Sequence, residues 1–261
     1  MTQKSSLSSL TGMVIPVALF LVLELLVTQL GVYQVLNIVY YNFNLTQFET
    51  NFLFKISELV VVIVLNHLIT KQVFYMNRSF TVWDYAFWLL IIAMALPFLK
   101  TPNLIISLAT GVMGGFSEEF LTRGVLLGKF LGYALRNGYS YRKLVESVVF
   151  SNLIFAFLHF TNLSHSSLQY VLVQIVLSFF GGLAYSALYV QTGNIWYSIA
   201  LHFATDFMRT ANDMSQIQDG RFESMALLAL NYLKIGLILY VFWPRKKEPA
   251  LVNRIQVDRM N

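Results

Sequence analysis

No cysteine occurs in the 261 residues. Disulfides, thiolate metal sites, a cysteine nucleophile and palmitoylation are therefore excluded. Charge is scarce as well. Asp, Glu, Lys and Arg make up 12% of the chain, against about 25% in a soluble domain. The remainder is 57% hydrophobic and 15% aromatic. So little charge implies an integral membrane protein in contact with a lipid bilayer, and the aromatic share suits interfacial belts of Trp and Tyr. No small-residue cleavage site is evident near the N-terminal "MTQKSSLSSLTG". An uncleaved first span is expected, not a signal peptide. There is no basic stripe or stacking platform to go with the net charge of +5, so nucleic acid is not an expected partner. Repeats and low-complexity segments are missing too.

A bilayer crossing takes about 20 mostly apolar residues. That rule predicts an all-α polytopic bundle of about eight transmembrane helices, at 11–36, 51–76, 83–100, 104–133, 144–160, 168–190, 195–208 and 225–243. Pro102 and Pro244 mark ends, since proline lacks the helical N–H. With the N-terminus in the cytoplasm, twelve Lys and Arg, including Arg78 and Arg245 to Lys247, fall inside. Only Lys55, Lys100, Arg209 and Arg221 fall outside. This asymmetry predicts a cell-membrane protein with both termini cytoplasmic. Residues 1–243 read as one transmembrane domain with its motifs in 104–208, and 244–261 as a flexible, basic cytoplasmic tail.

Ionisable groups inside a span are costly, roughly 2.5–3.5 kcal/mol each on insertion scales. They are therefore functional candidates. The spans or their ends carry Glu24, Glu58, His67, Glu118, Glu119, Arg123, Glu146, His159, His202, Asp206 and Lys234. In "GGFSEEFLTRG", Glu119 and Arg123 are four residues apart and share a helix face. Glu118 lies about 100° away on the helix, able to face a cavity unpaired. In "SNLIFAFLHFTN", His159 follows Phe155 by four. In "SIALHFATDFMRT", His202 and Asp206 share a face, and the aspartate would fix the imidazole tautomer. Gly111 and Gly115, then Gly124, Gly128 and Gly132, allow close packing of the fourth span, and Gly181 and Gly182 mark another close contact. One wet cavity would satisfy these groups together. It could activate a water and stabilise an oxyanion, or hold a metal with an open position. Spacing leaves both open.

Glu118-Glu119-x-x-x-Arg123, Phe155-x-x-x-His159 and His202-x-x-x-Asp206, in that order, resemble the three motifs of the CPBP family. These are the CAAX-processing and bacteriocin-processing intramembrane proteases, also called Abi. The resemblance covers about 104–208. It implies an intramembrane endopeptidase acting on a membrane-associated peptide or protein. Glu118 would activate water and His159 would position it. His202 with Asp206 would stabilise the oxyanion, and Glu119 and Arg123 would organise the site. The family carries a metalloprotease label, so a divalent metal such as zinc on Glu118, His159 and His202 is one option. A metal-free glutamate mechanism is the favoured expectation. The compact chain suggests a bacterial member, active in bacteriocin or signal-peptide maturation or self-immunity. Two other functions compete: a non-catalytic partner of a sensor kinase or transport component, and a transporter or proton relay.

Overall fold

The computed structural model describes residues 2–76, 81–164, 166–215, 221–243 and 248–260. All regular structure among them is helical. The first helix, α1 (Thr2–Leu25), passes through a π-helical turn, Leu26–Val32, into α2 (Tyr33–Phe43). The chain reverses at Asn44, whose φ is 52°, a conformation Asn tolerates better than most residues. Helix α3 (Gln47–Leu65) starts from a capping box: the Glu49 amide donates to Thr46 Oγ1 at 3.2 Å, and the Thr46 amide donates to Glu49 Oε2 at 2.7 Å. Such a cap contributes about 0.5–2 kcal/mol.

A π-helical end, Asn66–Thr70, closes this span. There the Asn66 side chain accepts from the Gln72 amide and donates to the Gln72 carbonyl, both at 2.9 Å. This clamp sends residues 71–76 across the bundle without regular structure. Phe74 and Gln72 lie where a Cβ on Gly124 or Gly128 would stand, each 2.7 Å from it. Those glycines therefore admit a connecting segment rather than another helix. Tyr75 anchors its end, accepting from the Ile195 amide at 3.0 Å and donating its own amide to the Tyr189 hydroxyl at 3.3 Å.

Helix α4 (Val82–Ala95) ends in a 3-10 turn, Leu96–Lys100, with Pro102 in the turn that follows. The motif helix then runs unbroken through α5 (Leu104–Met113), two π-helical stretches, Gly114–Glu118 and Phe120–Leu127, and α6 (Gly128–Ala134). Helix α7 (Tyr141–Leu158) continues as a 3-10 turn, His159–Ser164. Helix α8 (Leu168–Thr192) ends at Gly193 in the left-handed region, φ 63°. Helices α9 (Ile195–Ser215), α10 (Arg221–Val241) and α11 (Ala250–Met260) complete the chain.

Each of the eight expected segments contains helix, although the second loses it after Thr70 and the eighth after Val241. Among the described residues, five spans are long and apolar enough to cross a membrane: Gly12–Phe43, Gln47–Thr70, Leu104–Asn137, Tyr141–Ser164 and Leu168–Thr192. Their outer faces carry large exposed apolar side chains, such as Ile15, Leu30 and Ile105, suited to acyl chains rather than water. The protein is a multi-pass membrane protein.

Helix α9 is the centre of the bundle. It packs on α4, α5, α8 and α10, and Ile199, Leu201, Ala204, Phe207 and Met208 are buried in it. A helix shielded by protein can carry polar groups that lipid would not tolerate. It also extends past the expected end at 208, to Ser215.

The C-terminal end differs from expectation. Arg78, Pro244 and Arg245 to Lys247 lie outside the described residues, but 250–260 is a docked helix, not a flexible tail. Leu251 and Val252 are fully buried, and Ile255 nearly so. Arg254 Nη1 donates to the Gly193 carbonyl at 2.7 Å, and its guanidinium lies 5.8 Å from the Tyr75 ring centre. Each such buried aliphatic side chain contributes about 1.5–3 kcal/mol.

Candidate active site

Three helices supply the motif residues of the site, and glycines let them and their neighbours meet. Gly111 and Gly115 face Phe203 of α9. A Cβ on Gly114 would run into the Asp206 carboxylate and would lie 3.3 Å from His202 Nε2. A Cβ on Gly182 would overlap the Asn152 side chain and come within 2.7 Å of Arg123 Nη2. Side chains at these positions would push the site apart.

The buried half of the site is an ion pair with its own frame. Glu119 and Arg123 are both fully buried, with Nη1 at 2.9 Å from Oε1. Arg123 Nη1 also donates to Thr122 Oγ1, and Nη2 donates to Asn152 Oδ1 at 2.9 Å. Asn152 passes the chain on to Ser186 Oγ at 2.9 Å. The guanidinium sits between the rings of Phe155 and Tyr185, at 5.1 and 5.3 Å. Among the described residues, Glu119 Oε2 and Arg123 Nε are buried without a hydrogen bond. Removing one charge of such a pair strands the other in a dry interior.

His202 joins this frame to the cavity. Its Nδ1 lies 2.7 Å from Glu119 Oε1, and its ring stacks on Tyr185 at 4.5 Å. Its Nε2 turns the other way, 3.4 Å from Asp206 Oδ2 and 3.8 Å from Glu118 Oε2. The carboxylate on Nδ1 is therefore Glu119, a partner that the His-x-x-x-Asp spacing did not show, while Asp206 lies at Nε2. Asp206 stands on the cavity side.

Glu118, His159, His202 and Asp206 line one cavity of about 350 Å³. His159 hangs from the end of α7. Its Nδ1 donates to the Phe155 carbonyl at 3.1 Å, which leaves Nε2 to accept from the Ser178 hydroxyl at 3.2 Å. Phe155 meets the imidazole edge-on at 5.0 Å.

Glu118 is not unpaired, as its place on the helix suggested. Lys55 Nζ lies 3.2 Å from Oε1 and bridges onward to Glu58 at 2.9 Å. Lys55 read from sequence as an outside topology charge at the start of the second span, yet from α3 it reaches into the site. Asn152, Ser178 and Tyr185 were also unforeseen. Their only signal is a polar side chain in an apolar helix, which for Asn152 falls seven residues before His159. Two candidates lie elsewhere: Glu146 pairs with Arg142 on the surface at 2.7 Å, and His67 lines a separate pocket beside Lys71.

A divalent ion would need Glu118, His159 and His202 to converge on one point about 2 Å from each donor. Among the described residues no three His, Asp or Glu are so arranged. Lys55 holds one oxygen of Glu118, and both nitrogens of His159 have partners. The donor set as placed does not fit a metal.

Fold and site define a class: a helical membrane protein with carboxylates and imidazoles gathered in a cavity inside the bundle. Residues 100–208 match the family profile described as Rce1-like, type II CAAX prenyl endopeptidase. That segment is less than half of the chain, and over it the protein is similar to the CAAX-type endopeptidases. No curated protein and no solved structure matches the chain.

Proposed function

We propose that the protein hydrolyses a peptide bond of a membrane-associated peptide or protein, with Glu118 as general base on water. The observation that carries this reading is the placement of the Glu118 carboxylate 3.8 Å from His202 Nε2, in a cavity that His159 also lines. Glu118 takes a proton from the water. The hydroxide oxygen bonds to the scissile carbonyl carbon and leaves a tetrahedral oxyanion. The C–N bond then breaks, and the proton held by Glu118 passes to the leaving nitrogen.

The neighbours have separate tasks. His159 donates from Nδ1 to a backbone carbonyl, so its Nε2 lone pair, which holds the Ser178 hydroxyl before water binds, accepts from the attacking water once that hydroxyl turns away. His202 faces carboxylates at both nitrogens. With both protons on the ring, Nε2–H donates to the oxyanion while Nδ1–H stays on Glu119. Arg123 neutralises Glu119 and holds it in place for that bond. Asp206 holds the Nε2 proton before substrate arrives. No metal is required by these steps.

The substrate class we favour is a membrane-associated peptide such as a bacteriocin or signalling-peptide precursor. The test is reconstitution in vesicles with a membrane peptide library, with products read by mass spectrometry. Cleavage lost in both Glu118→Gln and His202→Ala, with the fold retained, supports hydrolysis. A cellular phenotype kept by both variants supports the non-catalytic partner instead.

A further inference from the structure

A second cavity, about 220 Å³, lies on the other side of Glu118. Glu118, Phe155, His159 and Gln174 line both cavities and form the wall between them. Across that wall, Asn162 Nδ2 donates to Gln174 Oε1 at 2.9 Å. The Glu118 carboxylate straddles it. Oε1 faces Lys55, which lines the second cavity, and Oε2 faces His202, which lines the first.

The two spaces differ in lining. The first has an apolar flank of Tyr170, Val173 and Leu177, suited to peptide side chains. The second collects Glu24 and Gln29 from the first long helix, Lys55 and Glu58 from α3, and Asn162 beyond α7. A buried water needs two to four polar partners and about 30 Å³ of liquid volume. The second cavity offers those partners and room for several waters. Hydrolysis consumes one water per bond cut, and the bundle's outer faces are apolar. A peptide seated in the first cavity would displace water there and leave the second cavity, on the other face of Glu118, open to it.

We infer that the second cavity is the water compartment of the site, feeding the Glu118 water from the α1–α3 side while the peptide occupies the first. This rests on the hydrolytic reading of Glu118. Lys55 then has a defined place: it holds the carboxylate across the wall from the water side.

The absence of native cysteine makes the test clean. Thiols are placed singly by Gln29→Cys on one wall and Thr161→Cys on another, with Leu30→Cys as the outward-facing control. Only a thiolate reacts, and a thiolate forms only in contact with water. In proteoliposomes, sulfonatoethyl methanethiosulfonate is expected to modify the first two and spare Leu30→Cys. Modification is expected to lower kcat at least about tenfold while KM stays within about twofold, the signature of a loss confined to the chemical step. The cysteine-free protein is expected to be unaffected. Failure of both cavity thiols to react, or reaction with kcat unchanged, overturns the water compartment and leaves hydrolysis standing. If the unlabelled protein cleaves no membrane peptide, the hydrolytic reading falls and takes this inference with it.

Discussion

Glu119 Oε1 lies 2.7 Å from Nδ1 of His202, although the two are 83 residues apart. The same oxygen takes the Arg123 guanidinium at 2.9 Å. One carboxylate thus does two tasks, and substitutions can separate them. Glu119→Ala leaves Arg123 buried and unpaired, with an expected loss of about 3–5 kcal/mol. Glu119→Gln keeps the shape and one acceptor. It is expected to fold more stably than Glu119→Ala, yet to lose at least about tenfold in kcat as His202 loses its charged partner. Thermal unfolding in detergent, run beside cleavage assays, distinguishes the two.

Glycine substitutions test the close contacts. Gly114→Ala is expected to displace Asp206 and His202 and to remove most activity. Gly182→Ala should act on Asn152 and Arg123, costing about 1–3 kcal/mol through overpacking. Gly31→Ala is the control, since nothing lies within 4 Å of its added Cβ. Its melting temperature is expected to stay level or rise slightly.

The docked C-terminal helix gives a third prediction. Leu251 is fully buried, so Leu251→Ala is expected to cost about 2–5 kcal/mol. A flexible tail would show no change. Arg254→Ala removes the bond to the Gly193 carbonyl and should lower the melting temperature by a smaller amount. Thermal unfolding of both variants checks this.

Lys55 predicts the response to chelators. Its ammonium holds one oxygen of Glu118 as a fixed counter-charge, so incubation with a strong chelator is expected to leave cleavage unchanged. Lys55→Ala should lose activity, and added small alkylamines should restore part of it. A zinc-dependent enzyme would show the opposite response to the chelator.

The three motifs were legible because each sets a polar group at helical spacing inside an apolar run. Such groups have nowhere to go in lipid except toward each other. Glu119 with Arg123, and the fit of Gly111 and Gly115 against a neighbouring helix, follow from spacing alone. Lys55 did not, since a lysine near the start of an apolar helix looks like a topology marker until its partner 63 residues away is known. The second partner of His202 was hidden for a related reason. Asp206, one turn away in sequence, stands at Nε2, but Glu119 reaches Nδ1 from another helix. In the tail, the basic run beside Pro244 hid the stripe of Leu251, Val252 and Ile255. The length of α9 was understated because its polar residues beyond 208 resemble a loop when protein burial is not known.

The central claim is that Glu118 activates the hydrolytic water. The most direct measurement is single-turnover cleavage of a membrane-embedded peptide in proteoliposomes by the unmodified protein and by Glu118→Gln. The expected result is a loss of about 10²–10⁴-fold in rate for Glu118→Gln, the range for a positioned general base, with unfolding temperature and peptide affinity retained. Cleavage by Glu118→Gln at the unmodified rate would contradict it.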